Sequence, residues 1–217
     1  MKMPIIKFIF LFVCTIAMFL SHAETPWKLS KQDNGIKVFV RSSPNSPIKS
    51  FKGEVTIKSR LIPLVAILED AAALPRWMHQ TKSALLLKEV NQSSSYVYVV
   101  SEMPWPVKDR DSITLANLTQ NKQSKQIQIT MKSVPNYIKN QAGRLRIKEL
   151  KGKWILTPQG KGLTKVIYEM RVDPGGSLPK WLVNTLSIDM PFHTLNNLRR
   201  EVKSNKYQQA KRSYILE

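Results

Sequence analysis

The chain has 217 residues, 42% of them hydrophobic, and its 34 lysines and arginines against 15 acids give a formal charge of +19. That length allows one ordinary apolar core, and a single cysteine, Cys14, excludes a disulfide framework. The basic excess invites a nucleic-acid reading, but the cations are scattered through nearly every segment without an aromatic and basic RNA-binding motif, so no nucleic-acid partner is expected.

Lys2 and Lys7 flank a short positive start, and Phe8 to Leu20 then run without a charge up to Ser21-His22-Ala23. This is the pattern of a secretory signal peptide. The apolar run is 13 residues, whereas a spanning helix needs roughly 20. Cleavage after Ala23 would leave one domain, residues 24–217, with no cysteine and a formal charge lowered from +19 to +17 by loss of the two lysines. The expected location is periplasmic or secreted, and the expected state a monomer.

Ile36 to Arg41 alternates and ends in Ser-Ser-Pro-Asn-Ser-Pro, and Lys49 to Ile57 alternates again, which predicts two strands. After Ser59, Leu61, Leu64, Val65 and Leu68 recur at helical spacing, with Pro63 in the first turn and a break expected near Pro75. Strand patterns return over Ala84 to Val90, Ser95 to Met103, Ser112 to Leu118, Gln126 to Ser133, Arg144 to Thr157 and Leu163 to Val172. Polar turns between them suit successive antiparallel hairpins. Leu178 to Val202 is long enough for a helix, starts after Asp173-Pro-Gly-Gly, and should bend at Pro191, where a backbone donor is missing. A sheet curling around that helix gives a two-layer α+β domain, with a cavity wherever the helix leaves the concave face unfilled.

Two motifs go further. Met103-Pro-Trp-Pro-Val-Lys-Asp-Arg-Asp, followed by a β-pattern segment, resembles the strand-turn-strand signature of START (StAR-related lipid transfer) domains, and so does Asp173 to Asn184, DPGGSLPKWLVN. RLRIKELKGKWILTP between them and ALPRWM around Trp77 are similar to further segments of the phosphatidylcholine transfer protein branch, across about Trp27 to Tyr207. The resemblance implies a helix-grip fold, in which a curved antiparallel sheet wraps the C-terminal helix and encloses one hydrophobic ligand. Its lid would be that helix and a nearby loop, here Thr119 to Lys125. Burying apolar surface yields about 25 cal/mol per Å², so enclosure offsets the cost of leaving a bilayer.

Carried over residue by residue, the resemblance departs at the head-group positions. The arginine and aspartate around the family's Trp in the choline-lipid branch are here Leu74 and Met78. The arginine of sterol-binding relatives is here Ala116, and Tyr96 to Ser101, which includes Val100, holds no acid to pair with it. Arg76 and Arg146 are candidates for a phosphate or carboxylate, since a guanidinium offers a planar fork. Trp77, Met78, Val100, Trp105 and Ala116 are expected at the cavity or its rim, and Trp181, Leu182, Leu186 and Met190 on the helix face turned toward it. The expected partners are a lipid or other hydrophobic small molecule and, transiently, an anionic membrane surface met by Arg199, Arg200, Lys203, Lys206, Lys211 and Arg212.

No cofactor or metal is expected, since the chain after Ala23 has only His79 and His193, no HExxH and no G-x-S-x-G. Two other readings stay open: a helix-grip hydrolase or cyclase, for which His193 is the first suspect, and a basic interaction module with a vestigial cavity. The export reading has a direct check. Mass spectrometry of the N-terminus of the host's periplasmic fraction should begin at or near Glu24, and an intact Met1 in the cytosol would sink it.

Overall fold

The computed structural model describes residues 25–42 and 49–217; the expected signal peptide, and the Ser-Ser-Pro-Asn-Ser-Pro turn beyond Ser42, lie outside them. The described chain forms ten strands: β1 Lys28–Asp33, β2 Ile36–Arg41, β3 Ser50–Lys58, β4 Thr81–Asn91, β5 Ser94–Ser101, β6 Arg110–Gln120, β7 Ile127–Ser133, β8 Leu145–Arg146, β9 Glu149–Pro158 and β10 Leu163–Asp173. They form one sheet in the order β1-β2-β3-β10-β9-β7-β6-β5-β4, with β8 added beside β6. All neighbours are antiparallel except β8 and β6. Apart from β8, each strand from β4 to β10 pairs antiparallel with the one that follows it, and β10 then pairs with β3, so the first three strands join the far end of the series.

The helices gather on one face of this sheet. α1 spans Leu61–Glu69, a single 3-10 turn Ala71–Ala73 leads into α2, Leu74–Trp77, and α5 is Asn205–Gln208. The long C-terminal helix is α3, Lys180–Asn184, then a π turn, Thr185–Asp189, then α4, Met190–Glu201. Phe192, Leu195, Leu198 and Val202 join Phe51, Val55 and Ile57 of β3 and Leu64, Val65 and Ile67 of α1 in the main core. This is the α+β arrangement expected, an antiparallel sheet gripping a long C-terminal helix.

Four local differences have physical causes. β1 carries almost no apolar residue facing the core and is exposed along nearly its whole length, so burial periodicity gave no sign of it. The predicted strand Arg144 to Thr157 divides into β8 and β9 because β8 pairs in parallel with β6 before the chain turns into the sheet. The helix break falls at Asp70 rather than Pro75: Asp70 leaves the helical region, its carboxylate accepts Tyr207 Oη at 3.0 Å, and Pro75 instead lies in the first turn of α2. The N-terminus of α1 is capped from far away, where Glu217 accepts from the Leu61 and Ile62 amides at 3.3 and 2.8 Å.

Pro191 lies in the first turn of α4, directly after the π turn. A proline ring crowds the carbonyl four residues back and offers no donor, and the widened turn absorbs both effects. α4 can lie close to β3 because Gly53 has no side chain; a Cβ there would stand 2.6 Å from Leu195 Cδ1. Gly53→Val should therefore lower unfolding stability by about 1–3 kcal/mol through overpacking, measured by urea titration. An unchanged midpoint would mean that the helix docks without needing this gap.

Candidate ligand-binding pocket

Between the sheet and the C-terminal helix lies a pocket of about 160 Å³, more than ten times the roughly 10–15 Å³ one water needs. Its wall follows from strand alternation: Val97, Val99 and Ser101 on β5, Ser112, Thr114 and Ala116 on β6, Ile129 and Met131 on β7, and Tyr168, Met170 and Val172 on β10. Leu68, Leu74, Trp77 and Met78 close it from α1 and α2, and Leu186 and Met190 from the C-terminal helix. Among the described residues, no lysine, arginine, aspartate or glutamate lines it. One wall is aromatic: Trp154 stacks on Tyr168 with centroids 3.9 Å apart, while Trp77 meets Trp154 and Phe51 meets Tyr168 edge-on at 6.0 and 5.0 Å. Burial pushes the Tyr168 phenol up, so it stays neutral.

The mouth is built from the two sequence motifs, locked together by three consecutive charged residues. Asp109 closes the Met103–Asp109 loop on itself, accepting from the Met103 amide at 3.0 Å, and also binds Lys82 at 2.9 Å. Arg110 is 1% exposed and donates to the carbonyls of Lys108, Pro174 and Gly175, which ties that loop to the Asp-Pro-Gly-Gly segment. Gly175 and Gly176 have φ of +65° and +68°, a backbone state that suits glycine. Asp111 takes a two-pronged bond from Arg146 at 2.8 and 2.9 Å and a third from Tyr98 at 2.9 Å. Burial alone would raise the Asp111 carboxyl, but the bonds from Arg146 and Tyr98 outweigh it and hold the group below the usual range. Over this frame Leu182 and Leu186 pack with Met103, Val107, Val172 and Leu178, sealing the pocket.

Of the residues singled out from sequence, Trp77, Met78, Ala116, Leu186 and Met190 lie in the pocket wall. The others are placed differently. Val100 is fully buried but on the opposite face of β5 from Val97, Val99 and Ser101. Arg146 is not available to a head group, since Asp111 and the carbonyls of Pro135, Ile138 and Lys139 take up its donors. Arg76 is likewise held, by Glu201 at 3.0 Å and Tyr207 at 3.2 Å. Leu182 belongs to the seal rather than the wall. Trp105, 93% exposed, and Trp181, 56% exposed, stand outside the mouth on the loop and on α3. The expected lid loop, Thr119 to Lys125, lies elsewhere, bonded through Gln120 to Leu216 and through Lys125 to Glu217; the loop packed on the helix is Met103–Asp109.

Sequence reasoning passed over the polar residues of the wall, His79, Gln80, Thr81, Ser101, Ser112 and Thr114. Alternation within Ser112 to Leu118 already placed Ser112 and Thr114 on the Ala116 face. The ring of His79 lies 4.9 Å from that of His193 on α4, and the His79 amide donates to Thr194 Oγ1 at 3.1 Å. Burial, and then the neighbouring His193, lower the His79 pKa against an opposing pull from Asp189, which favours the neutral ring.

A START domain family model matches residues 18–207. An uncharacterized protein of Pseudomonas aeruginosa is 35% identical over 173 residues, 80% of this chain and 85% of its own length. The crystal structure of a STAR-related lipid transfer protein fragment from Xanthomonas axonopodis superposes with a TM-score of 0.75 at 35% identity, covering 82% of this chain and 99% of the fragment. Bovine phosphatidylcholine transfer protein is 22% identical over 162 residues, 73% of this chain and 75% of its own.

Because Arg110 holds the mouth, Arg110→Leu leaves one buried and two part-buried carbonyls without their donor and should cost about 3 kcal/mol. Amide hydrogen exchange over residues 180–189 should accelerate more than over β9 and β10. Exchange that rises equally everywhere would make Arg110 a general core residue instead.

Proposed function

We propose that this chain, which belongs to the START domain family, carries one lipid in the pocket beneath its C-terminal helix and exchanges it at a membrane surface without catalysing a reaction on it. The observation that carries this reading is the wall itself, apolar over most of its area and free of formally charged side chains, closed by a helix that is interrupted where it crosses the pocket. Thioethers, aliphatic chains and stacked rings give a reacting bond little to work with. The one imidazole in the wall, His79, has another imidazole as its ring neighbour.

Opening requires α3 and the π turn to move off the Met103–Asp109 loop. The closed form leaves the Ser187 hydroxyl, in the π turn, buried without a partner among the described residues, so opening regains a hydrogen bond to water. Docking is assigned to Trp105 and Trp181, exposed beside the mouth, with Lys108 three residues after Trp105 and Lys180 directly before Trp181, both also exposed. Indole rings favour the membrane interface, where the body of the ring is apolar and the N–H stays wet.

Arg199 and Arg200 are less suited to this role. They lie about 28 Å along the helix from Trp181 at 1.5 Å per residue, and both bond within the protein, to Asn34 and Asn196 and to Asn197. Lys206 and Arg212 are paired with Asp70 and Glu69. Export after Ala23 belongs to the same reading, with the carrier acting as a monomer outside the cytoplasm.

Transfer of a fluorescent lipid between vesicles tests the carrier reading and the docking tip together. Trp105→Ala with Trp181→Ala should slow transfer by roughly tenfold or more, because two large apolar anchors are lost. The lipid bound per protein at equilibrium should stay as in wild type. Unchanged transfer would remove the tip from the mechanism, and a wild type that takes up no lipid would end the carrier reading.

A further inference from the structure

Most of the wall is apolar, but its polar groups are not scattered. Ser112 and Thr114 follow each other on the inward face of β6, and both are more than nine-tenths buried. Thr81 and Ser101 face each other across β4 and β5 on the same side of the pocket. Two further polar atoms of the wall, Gln80 Oε1 and Trp77 Nε1, are buried without a hydrogen-bond partner among the described residues, although a buried polar group ordinarily finds one.

The hydroxyls occupy one end. β6 leaves the mouth at Arg110, and its inward residues then run Ser112, Thr114, Ala116 and Leu118, polar first and apolar after, over about 20 Å at ~3.4 Å per residue. A ligand fitting this gradient has its hydrogen-bonding end at the mouth and its hydrocarbon beneath Leu68, Leu74 and Ile129.

Charge is treated differently. The two buried guanidiniums near the mouth are committed, Arg110 to backbone carbonyls and Arg146 to Asp111. At the far end, across Leu68, Val97, Ala116 and Ile129, a second cavity brings Glu69 and Glu89 against one arginine, Arg212, which already binds Glu69 at 2.8 Å. A phosphate or carboxylate would find an uncompensated site at one end and a net negative one at the other. Burying an anion without a partner is far more costly than burying a hydroxyl with one.

We infer that the pocket selects an uncharged lipid with a hydroxyl or carbonyl group at one end, held on the mouth side by Ser112, Thr114, Ser101 and Thr81, and that it discriminates against lipids with phosphate or carboxylate heads. The inference rests on the carrier reading and narrows it to a ligand class.

Lipids with identical chains isolate the head group. Purified protein is incubated with vesicles containing equal amounts of dioleoylglycerol, dioleoyl-phosphatidylcholine and dioleoyl-phosphatidylglycerol, and bound lipid is read by native mass spectrometry. Dioleoylglycerol should exceed each phospholipid by at least roughly tenfold, and Ser112→Ala with Thr114→Val should lower its occupancy by about tenfold without raising theirs. The single Thr114→Val, which keeps the side-chain shape, should give part of that loss with an unchanged melting curve. A phospholipid bound as well as dioleoylglycerol overturns the selectivity and leaves the carrier reading standing. Undiminished dioleoylglycerol in both variants overturns the placement of its polar end. Protein that takes up none of the three fails the carrier reading, and the inference with it.

Discussion

The mouth of this protein depends on one buried cation. Among the described residues Arg110 has no carboxylate in direct contact; its donors point at three main-chain carbonyls, on its own loop and on the Asp-Pro-Gly-Gly segment that leads into the closing helix. Burial lowers its pKa, with Asp109 opposing, yet a guanidinium so far above neutrality keeps its proton. A carbonyl partner, unlike a carboxylate, ties the side chain to backbone positions and so fixes where the loop and the helix begin relative to each other. Asp109 and Asp111 on either side then fasten the loop to β4 and β6 to β8.

From this anchored end the C-terminal helix runs across the pocket in two differently held parts. α4 is packed into the main core over Gly53, with Leu195, Leu198 and Val202 fully buried. α3 and the π turn contribute Leu182 and Leu186 to a small separate cluster with the mouth loop. A large core opens only with global unfolding, whereas a small cluster opens at much lower cost. The interruption beside Pro191 falls between the two, so the part over the mouth can move while the rest stays docked.

The distribution of charge separates inside from outside. The basic surplus lies on the surface, where Lys52 and Lys165 flank Glu54 and Lys153 meets Glu169, partly exposed pairs that contribute little to stability. The buried pair, Arg146 and Asp111, is on the outer side of the sheet from the pocket and is fully hydrogen-bonded. The pocket itself keeps hydroxyls, one amide and one imidazole held toward its neutral form, groups that meet a ligand without the desolvation cost of an ion.

Periodicity in the sequence was enough for most strands, for the first helix and for the long C-terminal one, because a half-buried strand or helix must repeat its apolar residues at the period of its backbone. The motifs around Trp105 and Gly175 likewise pointed to the family, and the inward face of β6 was legible as alternation. What only the tertiary structure decided was where side chains of ambiguous chemistry go. Trp105, expected at the cavity or its rim, and Trp181, expected on the helix face toward it, stand in solvent, and Arg146, a candidate for a head group, is consumed by an acid 35 positions earlier. β1 and the Glu217 cap were invisible for a related reason, since an edge strand need not alternate and a cap 156 residues from Leu61 leaves no local spacing. Local sequence specifies which face of an element is apolar; the partner of a charge or an aromatic ring is set by chain segments that become neighbours only when the sheet closes on its helix.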